Sequence, residues 1–451
     1  MRNGRRLGVI AALGAVFVAL TALPAFAAQE SPVDTGDTAW ILTSAALVMF
    51  MTPGLAFFYG GLVRQKNVLG TIMHSFMALG IVTVLWVAIG HTLAFGPDIG
   101  KVIGDGGWLG GLDFLGFKDV GGDPNADLAA TIPHMAYGVY QMMFAVITPA
   151  LIAGAYAERI KFSAYLAFTA LWVVVVYAPV AHWVWGLGML NGLNGLGALD
   201  FAGGTVVHQN AGIAALAFAI VLGRRKGYPG DSSIVPHNVP FVVLGASILW
   251  FGWFGFNGGS ALASGGLAAL AFTNTHAATA AAVFGWIIPE WIQHRKPTTV
   301  GAATGAVAGL VAITPASGYV RPWSSLIIGF AAGFLCYFAV SLKRRFNYDD
   351  ALDVVGVHYV GGLIGALLTG IFATEQTALM GQKGLVYGGG LKLLGQQAAA
   401  SAITTVWSLV VSLIILVIIN AVIGLRVTEE DETTGLDLSQ HGEAGYTMAG
   451  A

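Results

Sequence analysis

The sequence predicts an all-α integral membrane protein with eleven spanning helices, and three observations carry that prediction. Only 10% of the 451 residues are charged and 56% are hydrophobic, whereas soluble domains carry about 25% charged residues. Apolar runs near or above the roughly 20 residues needed to cross a bilayer core recur from Thr38 to Leu425. Basic residues gather on alternate connections between those runs. A large soluble core is excluded because the runs lack polar faces. The 63 glycines suit helices that approach closely in lipid, where packing of small residues replaces the hydrophobic drive. The net charge of −2 gives no sign of a nucleic-acid partner.

Taken in order, the chain opens with Arg2, Arg5 and Arg6, an apolar stretch from Leu7 to Leu23, and Ala25-Phe26-Ala27. This reads as a removable signal peptide over 1–27. Cleavage there leaves an exported, acidic N-terminus with Glu30, Asp34 and Asp37. The transmembrane domain, 38–424, divides into spans at about 38–62, 68–95, 131–156, 162–185, 201–223, 236–257, 266–292, 299–316, 322–342, 353–374 and 393–424, followed by a tail over 425–451. One side of this arrangement holds Arg64, Lys66, Arg159, Lys161, Arg224, Arg225, Lys226, Arg295, Lys296, Lys343, Arg344, Arg345 and Arg426. The other holds Lys101, Lys118, Arg321, Lys383 and Lys392. The excess of basic residues belongs in the cytoplasm. The protein is therefore expected in the cell (inner or plasma) membrane, with its N-terminus outside and its C-terminus inside.

The longest outer connection, 96–130, contains Asp98, Asp105, Asp113, Asp119, Asp123 and Asp127. It reads first as a solvated loop and second as an acidic rim that concentrates cations. A faint internal repeat is visible. Phe58-Tyr59-Gly60-Gly61 ends the first span and Phe256-Asn257-Gly258-Gly259 the sixth; Val207-His208 lies in the fifth and Val357-His358 in the tenth. Five spans separate the members of each pair, so two five-helix repeats would be inverted in the membrane, with a long eleventh helix added. Inverted repeats place the transport site at their interface near the midplane.

Ionisable residues inside spans are costly and mark function. His208 and His358 stand out because they occupy matching places in the two repeats. Two neutral imidazoles can share one proton through facing nitrogens, one as donor and one as acceptor. The bland alternative is a pair of unrelated, hydrogen-bonded core histidines. A metal site is disfavoured because no third ligand stands at suitable spacing. Asp200 opens the fifth span and reads as a helix N-cap, a role compatible with setting the potential nearby. His91 and His182 read as locally bonded, Glu158-Arg159 as a loop pair, and Lys343 to Asp350 as a solvated loop, with Asp350 and Asp353 placed to support the helix that bears His358. The lone Cys336 cannot form an internal disulfide.

Four runs together resemble the Amt/Mep/Rh family of ammonium transporters, on its Amt side: Asp200 to His208, Gly252-Trp253-Phe254-Gly255-Phe256-Asn257-Gly258-Gly259-Ser260, His182-Trp183-Val184-Trp185-Gly186, and Asp353-Val354-Val355-Gly356-Val357-His358. The resemblance extends from about residue 38 to about residue 446 and includes the tail motif Gly435-Leu436-Asp437 to His441-Gly442-Glu443. It implies an ammonium/ammonia transporter with no cofactor. Trp185, Tyr140 and Ser260 would bind ammonium at the outer mouth, with Asp200 as a supporting carboxylate. Phe144 and Phe256 would gate the pore, and His208, His358 and Trp253 would line it. Homotrimers with one pore per subunit are implied, with the tail packed under neighbouring subunits and a PII-type signal protein as a cytoplasmic partner. Tyr140 departs from relatives that carry phenylalanine there, and the stretch between Trp185 and Asp200 is longer than in some of them.

Elementary energetics agree. Aromatic faces attract a cation by about 0.5–2 kcal/mol each. Burying a bare ion in an apolar bore costs an idealised ~20 kcal/mol. Rings followed by neutral histidines therefore suit ammonia better than ammonium. A potassium-type channel is disfavoured, since no Thr-Val-Gly-Tyr-Gly filter occurs. A membrane enzyme is disfavoured by the lack of a nucleophile–base pair in the spans. A sensor built on the same fold stays open.

Overall fold

The computed structural model describes residues 32–375 and 381–446, so the leader read over 1–27 lies outside the described residues. Ten of the described helices are long and apolar enough to cross a membrane: α1 (Thr35–Leu62), α2 (Gln65–Phe95), α3 (His134–Tyr156), α4 (Phe162–Trp185), α5 (Gly204–Leu222), α6 (Val239–Ala261), α7 (Gly266–His294), α9 (Pro322–Phe346), α10 (Val355–Phe372) and α11 (Lys392–Val422). The span expected at 299–316 appears as the shorter α8, Thr299–Ile313. Its 15 residues rise only about 22 Å at 1.5 Å each. The chain then continues in buried turns from Thr314 to Val320.

Local chemistry sets the helix ends. Asp34 caps α1 through the amide of Asp37, Asn238 caps α6 through Phe241, and Thr298 caps α8 through Gly301. Arg295 and Asn347, both at positive φ, terminate α7 and α9. Backbones meet where glycine leaves room. A Cβ on Gly245 of α6 would lie 2.2 Å from the Phe58 nitrogen of α1, and one on Gly329 of α9 would lie 1.9 Å from the Ala278 oxygen of α7.

Four of the described helices contain a π-helical turn, at Trp86–Gly90, Val173–Tyr177, Gly204–Gln209 and Val355–Tyr359. Such turns are rare and frequent at functional sites. The last two carry His208 and His358.

One face carries the connection 96–130, where the all-α expectation needs a small correction. An antiparallel hairpin, β1 (Asp98–Ile103) and β2 (Gly106–Gly110), forms there. It is anchored rather than merely solvated. Asp98 Oδ1 lies 2.7 Å from His182 Nε2 and its Oδ2 accepts from the Gly107 amide at 3.0 Å. Beside the hairpin, His91 Nε2 meets His134 Nε2 at 3.1 Å. Asp105, Asp113, Asp119, Asp123 and Asp127 are exposed.

The opposite face carries the tail and corrects two loop readings. Glu158 does not pair with Arg159. It pairs with Arg64 at 2.9 Å and Arg225 at 3.1 Å, while Arg159 donates to the carbonyls of Gly223, Ala157 and Asp349. The left-handed backbone of Glu158 turns its side chain away from its neighbour. Nor is 343–350 simply solvated: Asp349 is buried against Arg225 at 2.9 Å, and Asp350 is buried too. The described part of the tail forms two short helices. Thr428 and Asp431 form a capping box for α12 (Glu429–Thr434), followed by α13 (Leu436–His441). Both helices dock on this chain's own loops. Glu432 accepts from Arg426 Nη2 and the Lys226 amide, each at 2.6 Å, and Asp437 accepts from the Gly70 amide at 2.8 Å.

Candidate functional site

On the hairpin side, a cavity of ≈ 200 Å³ is walled by Asp127, Gln141, Phe144, Trp185, Ser260 and Tyr319, among others, with Asp200 at its edge. The side chains expected here arrive from four elements. The Trp185 indole at the end of α4 is fixed by its Nε1 donating to the Asp200 carbonyl at 2.9 Å. The Ser260 hydroxyl, just past the last full turn of α6, donates to the Phe256 carbonyl at 2.8 Å, which leaves its lone pairs as acceptors. Tyr140 is fully buried, and its hydroxyl lies 2.8 Å from the Phe256 carbonyl, 2.9 Å from the Gly255 carbonyl and 3.2 Å from Ser260 Oγ. Its hydroxyl thus ties α3 to α6 and stands directly behind Ser260 and Phe144 of the cavity wall.

Asp200 is the cap that its position in the sequence suggested. Oδ1 accepts from the amides of Gly203 (2.8 Å) and Gly204 (2.7 Å), and Oδ2 from Thr205 (2.7 Å) and Val206 (3.1 Å). Gly203 stands at φ 116, a conformation that a side chain would resist. Four donors on one carboxylate fix the π-turn that presents His208.

An unbroken file of rings leads from the cavity inward. Trp185 meets Phe144 edge-on at 5.6 Å between centroids, Phe144 lies over Phe256 at 4.2 Å, Phe256 is 6.0 Å from His208, and His208 is 5.3 Å from His358. The Nδ1 atoms of His208 and His358 are 3.3 Å apart. That separation requires a single hydrogen between them, so one ring carries it on Nδ1 and the other accepts. Trp253 stacks on His208 at 5.3 Å and is held by its Nε1–H donating to Thr314 Oγ1 at 2.8 Å. The void beside the histidines is ≈ 10 Å³ and is otherwise walled by apolar side chains, including Leu55, Phe58, Leu151 and Val307. That is about the least space that admits one water molecule.

Several contributors were not singled out from sequence. Thr314 and Gln141 gave no signal. Asp350, by contrast, reads from sequence as support for the helix that bears His358: it precedes that histidine by the same eight positions that separate Asp200 from His208, and its Oδ2 accepts from the Val355 amide at 2.7 Å. Among the described residues, no group of three or more His, Cys, Asp or Glu side chains is arranged to hold a metal ion.

Comparisons with known proteins identify the family. The family model described as Ammonium Transporter Family matches residues 39–446. An "Ammonium transporter" of Bacillus subtilis (strain 168) is 51% identical over 412 residues, covering 91% of this chain and 98% of the relative. The crystal structure of Saccharomyces cerevisiae Mep2 superposes with a TM-score of 0.84 at 37% identity, covering 93% of each chain. A solved "Sensor Amt Protein" superposes with a TM-score of 0.80 at 30% identity, covering 90% of this chain and 98% of that one. Apolar helices long enough to cross a membrane, together with matches along nearly the whole chain, make this a multi-pass membrane transport protein rather than an enzyme, and it belongs to the ammonium transporter family.

Proposed function

We propose that each subunit recruits ammonium in the cavity on the hairpin face, removes its proton, and passes ammonia through the apolar void beside His208 and His358. The hairpin face is taken as outward, because 13 of the 18 basic residues outside the leader region lie on the other side. The bundle is read as eleven spans, with α8 as the eighth and two inverted five-helix repeats. The active form is read as a homotrimer, with a PII-type protein as the partner for the tail face.

What supports the reading is the meeting of His208 Nδ1 and His358 Nδ1 at 3.3 Å, a distance that suits one shared hydrogen, behind the packed rings of Phe144 and Phe256. In the cavity, the Trp185 and Phe144 faces attract a cation by about 0.5–2 kcal/mol each, and Ser260 offers lone pairs to its N–H groups. Beyond Phe256 these contributions cannot offset the idealised Born cost of ~20 kcal/mol for an unpaired ion. A neutral imidazole pair offers ammonia one donor and one acceptor without adding charge. The released proton is proposed to cross separately, relayed through the shared hydrogen of the pair.

The test is ammonium-driven current in liposomes bearing purified protein, with uptake measured in parallel. A double His208→Ala/His358→Ala variant is expected to abolish the current. Current that survives unchanged in that variant would refute the relay.

A further inference from the structure

The carboxyl group of Asp350 is buried eight positions before His358 and makes no ion pair among the described residues. Its neighbour Asp349 is paired with Arg225, and Asp353 is paired with Lys343 at 2.6 Å. Lys343 Nζ reaches only the backbone carbonyl of Asp350, at 3.0 Å. Asp350 Oδ2 bonds to the Val355 amide, and Oδ1 makes no well-formed hydrogen bond. Asp200, at the equivalent position eight residues before the other histidine, spends both oxygens on four amides. A cap alone needs no such unfilled valence, and a buried carboxylate outside an ion pair is costly enough to point to a task.

We propose that Asp350 is a positioning residue for transport: its carboxylate holds the π-turn that presents His358 and supplies a fixed negative charge on the tail side of the histidine pair, where ammonia regains its proton. This rests on the conduction reading above and assigns the inner end of the same path. The groups facing Asp350 are Tyr59 from α1, Arg159 from the α3–α4 connection, Lys343 from α9, and Tyr348 and Asp353 from its own connection. Burial pushes the Asp350 carboxyl up to about 6, with Lys343 opposing and Asp353 reinforcing the shift. The charge is therefore present at neutral inner pH and is lost as that pH falls through about 6.

The experiment compares ammonium uptake by the native chain with that of Asp350→Asn, Asp350→Glu and Lys343→Gln in liposomes whose internal pH is set between about 5 and 8. Asparagine keeps an acceptor for the Val355 amide but not the charge. Its uptake is expected to fall about tenfold or more, given the usual size of proton-transfer contributions, and to lose its dependence on internal pH. Glutamate should restore part of the rate. Lys343→Gln removes the opposing charge and should move the internal-pH midpoint upward, which keeps the proposal testable should the asparagine variant fail to assemble. An asparagine variant that matches the native rate and pH profile, or an unmoved midpoint in Lys343→Gln, would overturn the assignment. A native protein that moves no ammonium would overturn the conduction reading with it, whereas an active native protein beside an indistinguishable asparagine variant overturns this assignment alone.

Discussion

Replacing Asp200 with asparagine tests what holds the π-turn that carries His208. The carboxylate accepts four amide hydrogens, two on each oxygen, at 2.7–3.1 Å. Asparagine keeps one oxygen and turns an NH₂ group toward the other two donors. Two hydrogen bonds to a charged group are lost at about 1.5–3 kcal/mol each, or roughly 3–6 kcal/mol together. Whole domains are stable by only about 5–15 kcal/mol, so the π-turn from Gly204 to Gln209 should open locally while the bundle persists. At 1.4 kcal/mol per decade, amide protection over 203–206 should fall by about 10²–10⁴-fold, and His208 should lose its fixed meeting with His358. Hydrogen exchange read by mass spectrometry on the micelle-solubilised protein measures the first effect, and liposome uptake measures the second. An asparagine variant with native protection over these four residues and native uptake would refute the argument.

Two further outcomes are expected. Glu158 is buried, which raises its carboxyl, but Arg225 and Arg64 outweigh burial and hold it below its ordinary value of 4.5. Its contribution to stability is thus complete above that value and is lost as pH falls through the lower folded one. Glu158→Gln leaves Arg225 and Arg64 underpaired and should destabilise by about 3–5 kcal/mol near neutrality; thermal unfolding in detergent should show a deficit at pH 7 that narrows as the pH is lowered below 4. Truncation from Thr428 removes the carboxylates that Arg426 and the amides of Lys226 and Gly70 bind. It should lower uptake without preventing membrane insertion, and full uptake in the truncated chain would show that the docked tail plays no part.

The spans were legible because each needs little context. Apolar length, basic connections and caps such as Thr298 act within a few residues, and the boundaries from sequence fall close to those of the helices. The exception, α8, came out short because its end turns inside the bundle, where neighbouring helices rather than lipid satisfy it. The hairpin was not legible: Asp98 reads as one more loop aspartate until His182, 84 positions away in sequence, is placed against it. Glu158 was misread for a similar reason, since adjacency suggested Arg159 while a left-handed backbone aimed it at Arg64 and Arg225.

At the site the division is sharper. The candidate residues themselves stand out in the sequence, because histidines within spans, a carboxylate at a span start and aromatic runs are costly or distinctive wherever they sit in an apolar chain. How they meet is set only by the packing of the helices. It spent the Tyr140 hydroxyl on the end of α6, set the two Nδ1 atoms 3.3 Å apart, and left Asp350 without an ion pair while its neighbours found theirs. Those outcomes depend on distances between residues up to 150 positions apart in the chain, and only the packing of helices fixes such distances.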